Sequence, residues 1–375
     1  MGKELLDGNE AAAWGARLSR VQVAPVFPIT PQTEIIETLA KWKSTGEWSG
    51  EYVQLESEHS ALSAAIASEA TGARTFTASS SQGLMLMHEM HYVASGMRLP
   101  LVMVNCSRGL AAPLTLWPDQ NDIMALRSSG WIMLFAKSNQ EVIDSVIQAY
   151  KIAENTKVLL PVIVNMDGFI QSSTNEPTEI PNQNKVDRFL PKYRPETIID
   201  VNRPMSLGVP VMEQYMEFRA QVHKAQLNAL DVIKKVGKDF KRTFGRDYGL
   251  IEKYRTNDAK VIFVSVGSLS TTIEEAVDSL REKGVKAGLL TIRCFRPFPK
   301  KEINDVLKSC ENIAVIDNNI APGFGGMLYA DICSVVDRKS VASFIVSLGG
   351  RHSSKKDFED IARKTIKKKG MYWLM

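Results

Sequence analysis

Apolar residues along this chain recur with two periods, one helical and one extended. Residues 9–18 are alanine-rich with helical spacing, and residues 21–26 have an extended pattern. A helix is expected from Pro31, whose fixed φ suits a first helical position, with Thr30 as its N-cap. Residues 57–69 form a helix rich in small side chains, and its continuation over 64–67 is expected to be buried. Residues 75–78 read as a strand running into a polar cluster, 79–83, and then a methionine-rich helix over 84–90. Residues 101–104 and 158–164 read as buried strands. Near-continuous apolar strands separated by helices imply a parallel sheet covered on both faces.

The pattern changes over 172–210, where Pro, Asn, Ser and Thr replace any periodicity, so a long connector is expected. Helical character returns over 211–255. A second alternating unit begins at 260–266, continues with a helix over 272–282, and has strands near 286–292 and 313–316. It is a small α/β domain of roughly 110 residues. The basic tail, 364–370, reads as a solvated helix end.

Composition narrows the function without naming it. The chain has 375 residues, 44% hydrophobic and 23% charged, with a net charge of +4. That charge is too mild to imply a nucleic-acid partner. The four cysteines, Cys106, Cys294, Cys310 and Cys333, are far apart. They exclude a zinc ribbon, a ferredoxin-like cluster module and a disulfide scaffold on this chain. With no apolar stretch long enough to span a membrane and no basic–apolar leader after Met1-Gly2-Lys3-Glu4, a cytoplasmic setting without a membrane role is expected.

Three constellations carry candidate chemistry. Phe27-Pro28-Ile29-Thr30-Pro31 puts a hydroxyl at a strand-to-helix turn, where open α/β sheets bind ligands, although helix capping alone explains a threonine there. Glu56-Ser57-Glu58-His59-Ser60 puts carboxylates at the head of a buried helix. A buried Glu58 must be paired or functional, whereas a solvated helix start would only favour the dipole. Asn105-Cys106-Ser107-Arg108 follows a buried strand, and Arg108 suits bidentate capture of a carboxylate, or a structural ion pair. His59 has no clustered partners, so no metal site is expected on this chain. Gly323-Phe324-Gly325-Gly326 reads as a turn rather than a nucleotide loop.

Together these segments resemble the α subunit of the 2-oxoacid:ferredoxin oxidoreductases, and within that family the pyruvate-specific members. Gly8-Asn9-Glu10-Ala11-Ala12-Ala13, the Pro28-Ile29-Thr30-Pro31 turn, the Glu58 segment, Ser80-Ser81-Gln82-Gly83, Met87-His88-Glu89-Met90 and Arg296-Pro297-Phe298-Pro299 carry the likeness. It implies a doubly wound α/β domain of the thiamine-diphosphate-binding, pyrimidine-holding type over residues 1–250, including the connector. A transketolase C-terminal-like α/β domain would follow over 251–375.

The resemblance further implies that a 2-oxoacid is oxidatively decarboxylated, that its acyl group passes to coenzyme A, and that the electrons leave to ferredoxin. Glu58 would hydrogen-bond the cofactor's pyrimidine ring, Arg108 would hold the substrate carboxylate, and Thr30 would bond substrate. Pro28, Ile29, Ser81 and Gln82 would complete the cofactor contacts. Thiamine enzymes also need a metal–diphosphate motif, Gly-Asp-Gly followed by Asn. Met166-Asp167-Gly168 lacks the first Gly, and no Asn follows at the expected distance. The expectation is therefore half an active site. A β chain would supply Mg²⁺ and diphosphate binding, and γ and δ chains would accompany it, with 4Fe–4S clusters on partner chains. Leu116-Trp117-Pro118-Asp119-Gln120-Asn121-Asp122 and Ser128 depart from the usual pyruvate pattern. A branched-chain or aromatic substrate (2-oxoisovalerate, indolepyruvate, phenylglyoxylate) thus stands beside pyruvate. A transketolase-like enzyme and a non-catalytic scaffold paralogue are the rival readings.

Overall fold

The computed structural model describes residues 2–208 and 211–375. Met1 and the last two residues of the expected connector, 209 and 210, lie outside the described residues. The first part of the chain runs β1 (Lys3–Leu6), α1 (Gly8–Leu18), β2 (Val23–Val26), α2 (Thr33–Thr45), β3 (Glu51–Gln54), α3 (Glu58–Ala70) and β4 (Phe76–Ser79). It continues with α4 (Ser81–Leu86), α5 (His88–Gly96), β5 (Val102–Ser107), α6 (Asn121–Ala125), β6 (Ile132–Phe135), α7 (Asn139–Ala153) and β7 (Val162–Asp167). A short strand β8 (Glu176–Glu179), α8 (Gln183–Phe189) and the 30-residue α9 (Tyr215–Phe244) lead to the second part.

That second part comprises β9 (Ile251–Tyr254), β10 (Val261–Ser265), α10 (Leu269–Glu282), β11 (Ala287–Ile292), β12 (Cys294–Arg296) and α11 (Lys300–Leu307). It ends with β13 (Ile313–Asp317), α12 (Met327–Cys333), β14 (Val341–Ile345), α13 (Lys355–Lys367) and β15 (Met371–Trp373).

In the first sheet β4, β5, β7 and β6 are parallel neighbours, and β2 with β3 extends the edge through a parallel bridge from Val23 to Thr75. The second sheet has the order β15-β14-β13-β10-β11-β9, parallel except for β9. The strands of both sheets are buried where helices cover both faces, which is why they read as continuous apolar runs rather than alternating ones.

Local chemistry sets most boundaries. Asp7 and Glu10 form a capping box at α1, Ser57 caps α3 through the Ser60 N–H, and Ser354 with Asp357 boxes α13. Helix α9 stops at Gly245, in the left-handed region at φ 81°. Midway along α9, Gly237 is required by contact: a Cβ there would lie 1.8 Å from the Tyr248 carbonyl oxygen.

Several expected boundaries shift. No helix starts at Pro31, and Thr30 is not a cap. Helix α2 starts at Thr33 after Gln32, and Thr30 is exposed in the turn before it. The methionine-rich segment is two helices, α4 and α5, meeting at Met87. Strand β5 runs on through Asn105, Cys106 and Ser107, so Arg108 is the first residue after it. The connector carries β8, paired antiparallel with β1, and α8. Ala67 is exposed on α3, although Ala65 and Ile66 are buried.

The two parts share one apolar core. Leu62, Leu84, Met103, Trp131 and Ile163 of the first pack in one cluster with Ile262, Leu290, Phe295 and Ile313 of the second. Strand β12 leaves the second part to pair antiparallel with β6 of the first sheet.

Candidate active site

Four parallel strands end on one edge of the first sheet, and the segment after each supplies one wall of a cradle. The Pro28–Pro31 turn follows β2, Glu58 follows β3, Ser79–Gln82 closes β4, and Arg108 follows β5. Connections leave β2 and β4 toward opposite sides of the sheet, so the cradle sits where open α/β sheets hold ligands.

Glu58 is the first residue of α3 and is 6% exposed. Its carboxylate lies against the backbone of α4: a Cβ on Gly83 would be 2.5 Å from Glu58 Oε1 and 2.6 Å from Ser79 Oγ. Only glycine lets helix and carboxylate approach this closely. Ser79 Oγ, Ser80 Oγ and Gln82 Nε2 are buried without a hydrogen-bond partner. Unpartnered buried polar atoms are costly, and several in one place mark a site built for another molecule.

Arg108 is also 6% exposed. Its Nη1 donates to the Thr30 carbonyl at 2.7 Å and its Nη2 to Gln82 Oε1 at 2.6 Å, while Nε has no partner. Burial pulls this guanidinium below its ordinary pKa, opposed by the charges of Asp122 and Glu58. Thr30 thus serves the protein through its carbonyl, and its exposed side chain is left to the open side of the turn. Pro28 and Ile29 are half-buried, and the Ile29 carbonyl accepts from the Gln32 N–H at 2.9 Å.

Sequence reasoning missed the floor of the site. Asp122, at the start of α6, is buried and accepts from the Ser81 N–H at 3.0 Å and the Arg108 N–H at 3.2 Å through Oδ2. Its Oδ1 accepts from the Ile123 N–H at 2.6 Å and faces Ser107 Oγ at 3.0 Å. Beside it, Asn105 Nδ2 donates to Asn165 Oδ1 at 2.8 Å across the β5–β7 register. Burial pushes the Asp122 carboxyl up to about 7, against the backbone donors that pull it down. Ser81, at φ 50°, holds a left-handed conformation that costs about 1–2 kcal/mol outside glycine. The readable signal was polar Asn105, Ser107 and Asn165 inside otherwise apolar strands.

Asp167, the nearest thing to a metal–diphosphate aspartate, is engaged elsewhere. Oδ1 accepts from Gln120 Nε2 at 3.0 Å, and Oδ2 accepts from the Ser268 N–H at 2.8 Å and Oγ at 2.6 Å. It latches β7 to the start of α10. His59 is half-buried on α3, away from any cluster of metal-ligating side chains among the described residues.

The fold is that of the thiamine-diphosphate-binding class. The family model described as pyruvate flavodoxin/ferredoxin oxidoreductase, thiamine diphosphate-binding, matches residues 14–238, and the pyruvate:ferredoxin oxidoreductase core domain II model matches 259–358. The chain belongs to the pyruvate flavodoxin/ferredoxin oxidoreductase family. It is 46% identical over 363 residues to the pyruvate synthase subunit PorA of Methanothermobacter thermautotrophicus, covering 96% of this chain and 95% of that one. It is 44% identical over 367 residues to the ketoisovalerate oxidoreductase subunit VorA of Pyrococcus horikoshii, covering 96% and 93%. Among solved structures, a 2-oxoglutarate:ferredoxin oxidoreductase from Magnetococcus marinus superposes with a TM-score of 0.73 at 19% identity, over 97% of this chain and 65% of that one. A split-gene transketolase superposes with a TM-score of 0.54 at 10% identity. Both share the fold.

Proposed function

We propose that this chain is the α subunit of a pyruvate:ferredoxin oxidoreductase, active only in a complex with other subunits. The carrying observation is that Glu58 and Arg108 are buried in one cradle, where Arg108 Nε, Ser79 Oγ, Ser80 Oγ and Gln82 Nε2 have no protein partner. The residues fit thiamine diphosphate: Glu58 would hold the pyrimidine ring, with Pro28, Ile29, Ser81 and Gln82 around it. Bound there, that cofactor would supply the electron sink that decarboxylation of a 2-oxoacid requires. Arg108 would fix the 2-oxoacid carboxylate. Two of a guanidinium's five donors are used by Thr30 and Gln82, and Nε is among those still free. Thr30, on the open face of the same turn, would meet the substrate.

Magnesium and diphosphate binding are assigned to a β chain, because both Asp167 oxygens are occupied within this one. Exposed apolar side chains at the sheet's carboxyl edge support a covering partner: Leu114, Leu116 and Trp117, the last packed on Phe169, with Ile170 next in the chain. Coenzyme A, ferredoxin and cluster-bearing γ and δ chains complete the proposal.

The test is a panel of pyruvate, 2-oxoisovalerate, indolepyruvate and phenylglyoxylate, assayed on the purified complex with coenzyme A and a viologen dye. Pyruvate is expected to give the highest kcat/KM, about tenfold above 2-oxoisovalerate, since one small apolar group is worth about that much in a pocket. Higher values for 2-oxoisovalerate move the assignment to branched substrates. Dye reduction with none of the four removes it.

A further inference from the structure

Between the cofactor-side turn and the substrate-side arginine lies a group that none of the assigned roles uses. The Asp122 carboxylate sits under both. Its Oδ2 takes the Ser81 N–H, at the head of α4, and the Arg108 N–H, at the end of β5. The same two segments meet again above it, where Gln82 Oε1 accepts from Arg108 Nη2 and lies 2.6 Å from Ser81 Oγ. Ser81 Oγ is also 2.8 Å from the Gly109 carbonyl. The result is a closed ring: Asp122, Ser81, Gln82, Arg108 and back to Asp122. A carboxylate is all acceptor, and four donors face Asp122 here (Ser81, Arg108 and Ile123 N–H, Asn105 Nδ2) beside the Ser107 hydroxyl, which also reaches Asn165 Oδ1 at 2.8 Å. An amide of the same shape offers one acceptor atom where the carboxylate offers two, so it leaves part of this donor set unpaired.

We infer that Asp122 is a positioning residue, which sets the distance between the substrate-holding Arg108 and the cofactor-holding Ser81–Gln82 turn. The inference rests on the reading of Arg108 and Gln82 given above. Asp122 touches neither substrate nor cofactor and acts through these two residues. Because the ring joins two separate segments of chain, loosening it displaces them relative to each other, and small misplacements of this kind are costly to rate.

The test uses the assembled complex with Asp122→Asn, Arg108→Ala and the double variant. Asp122→Asn is expected to raise KM for pyruvate about tenfold while KM for coenzyme A stays within about twofold. In the Arg108→Ala background the same change is expected to cost less than about twofold further, because its effect passes through the arginine. Calorimetry on the cofactor-free complex is expected to show thiamine diphosphate binding weakened several-fold by Asp122→Asn. Additive effects of the two substitutions, or parental KM and cofactor affinity in Asp122→Asn, overturn the inference. If Arg108→Ala alone leaves KM for pyruvate unchanged, the arginine's role falls, and the calorimetric result then decides for or against Asp122 by itself. If Asp122→Asn does not assemble, Ser107→Ala removes one contact to Oδ1 without altering charge. It is expected to raise KM for pyruvate about threefold, and no change overturns the inference.

Discussion

Glu58 owes its place to two neighbours that are not acidic. Ser57 caps α3 and fixes where the helix begins, and Gly83 leaves room for the carboxylate against α4. Glu58→Gln preserves the shape and removes the charge and one acceptor. On the assembled complex it is expected to lower pyruvate-dependent dye reduction by about 10²–10³-fold, the range for loss of a positioned proton partner. Initial-rate assays decide this, and a near-parental rate removes Glu58 from the assigned role. At this scale the sequence marks Glu58 and Arg108 as candidates by their position at a helix head and a strand end, and the fold shows that both are buried. Asp122 is not marked in this way. Its segment, Leu116 to Asp122, stands out in the sequence only as a departure from the usual pyruvate pattern, and only folding shows that it passes beneath β5.

At the scale of elements, α4 matters for where it starts. Its N-cap residue Ser80 makes no capping bond, and Ser81 is held at φ 50° by Asp122 and the Gly109 carbonyl instead. Gly83→Ala would put a methyl 2.5 Å from Glu58 Oε1, closer than any real Cβ contact. Either α4 or the carboxylate then has to move. Thiamine diphosphate affinity of the complex is expected to fall at least about tenfold, with a loss of stability of about 1–3 kcal/mol from overpacking. Calorimetric titration with cofactor checks it, and unchanged affinity shows that the approach of α4 to Glu58 is not needed. Boundaries differ from the local pattern where a tertiary partner wins over local preference. Thr30 has the chemistry of a cap, but its carbonyl is taken by Arg108 from 78 residues away. The one helix expected over 84–90 breaks at Met87, which is fully buried, so packing rather than propensity sets the break.

At the scale of the molecule, the two α/β parts are joined by polar latches as well as by the shared apolar core. Asp167 accepts three bonds, two from Ser268 and one from Gln120. Arg293 Nη2 donates to Ser145 Oγ at 3.0 Å, and the Gln120 N–H donates to the Asn318 carbonyl at 2.7 Å. Asp167→Ala leaves the buried donors of Ser268 and Gln120 unpaired, at a cost of about 1–3 kcal/mol. Differential scanning calorimetry of the isolated chain is expected to show the melting temperature lowered by several degrees. A parental value would mean that the core alone holds the two parts together.

The sequence by itself determined the α/β class, the parallel strands, Glu58 and Arg108 as candidates at a helix head and a strand end, and the absence of a Gly-Asp-Gly motif. Each of these is written in local pattern: apolar runs, capping residues, a charge placed among small side chains. Only the tertiary structure decided that Asp167 latches β7 to the start of α10, that Thr30 offers its carbonyl to Arg108, and that Asp122 ties the two walls of the cradle together. These depend on contacts between residues far apart in the chain. Which donor meets which acceptor there is fixed by how the strands stack, not by the residues' own preferences.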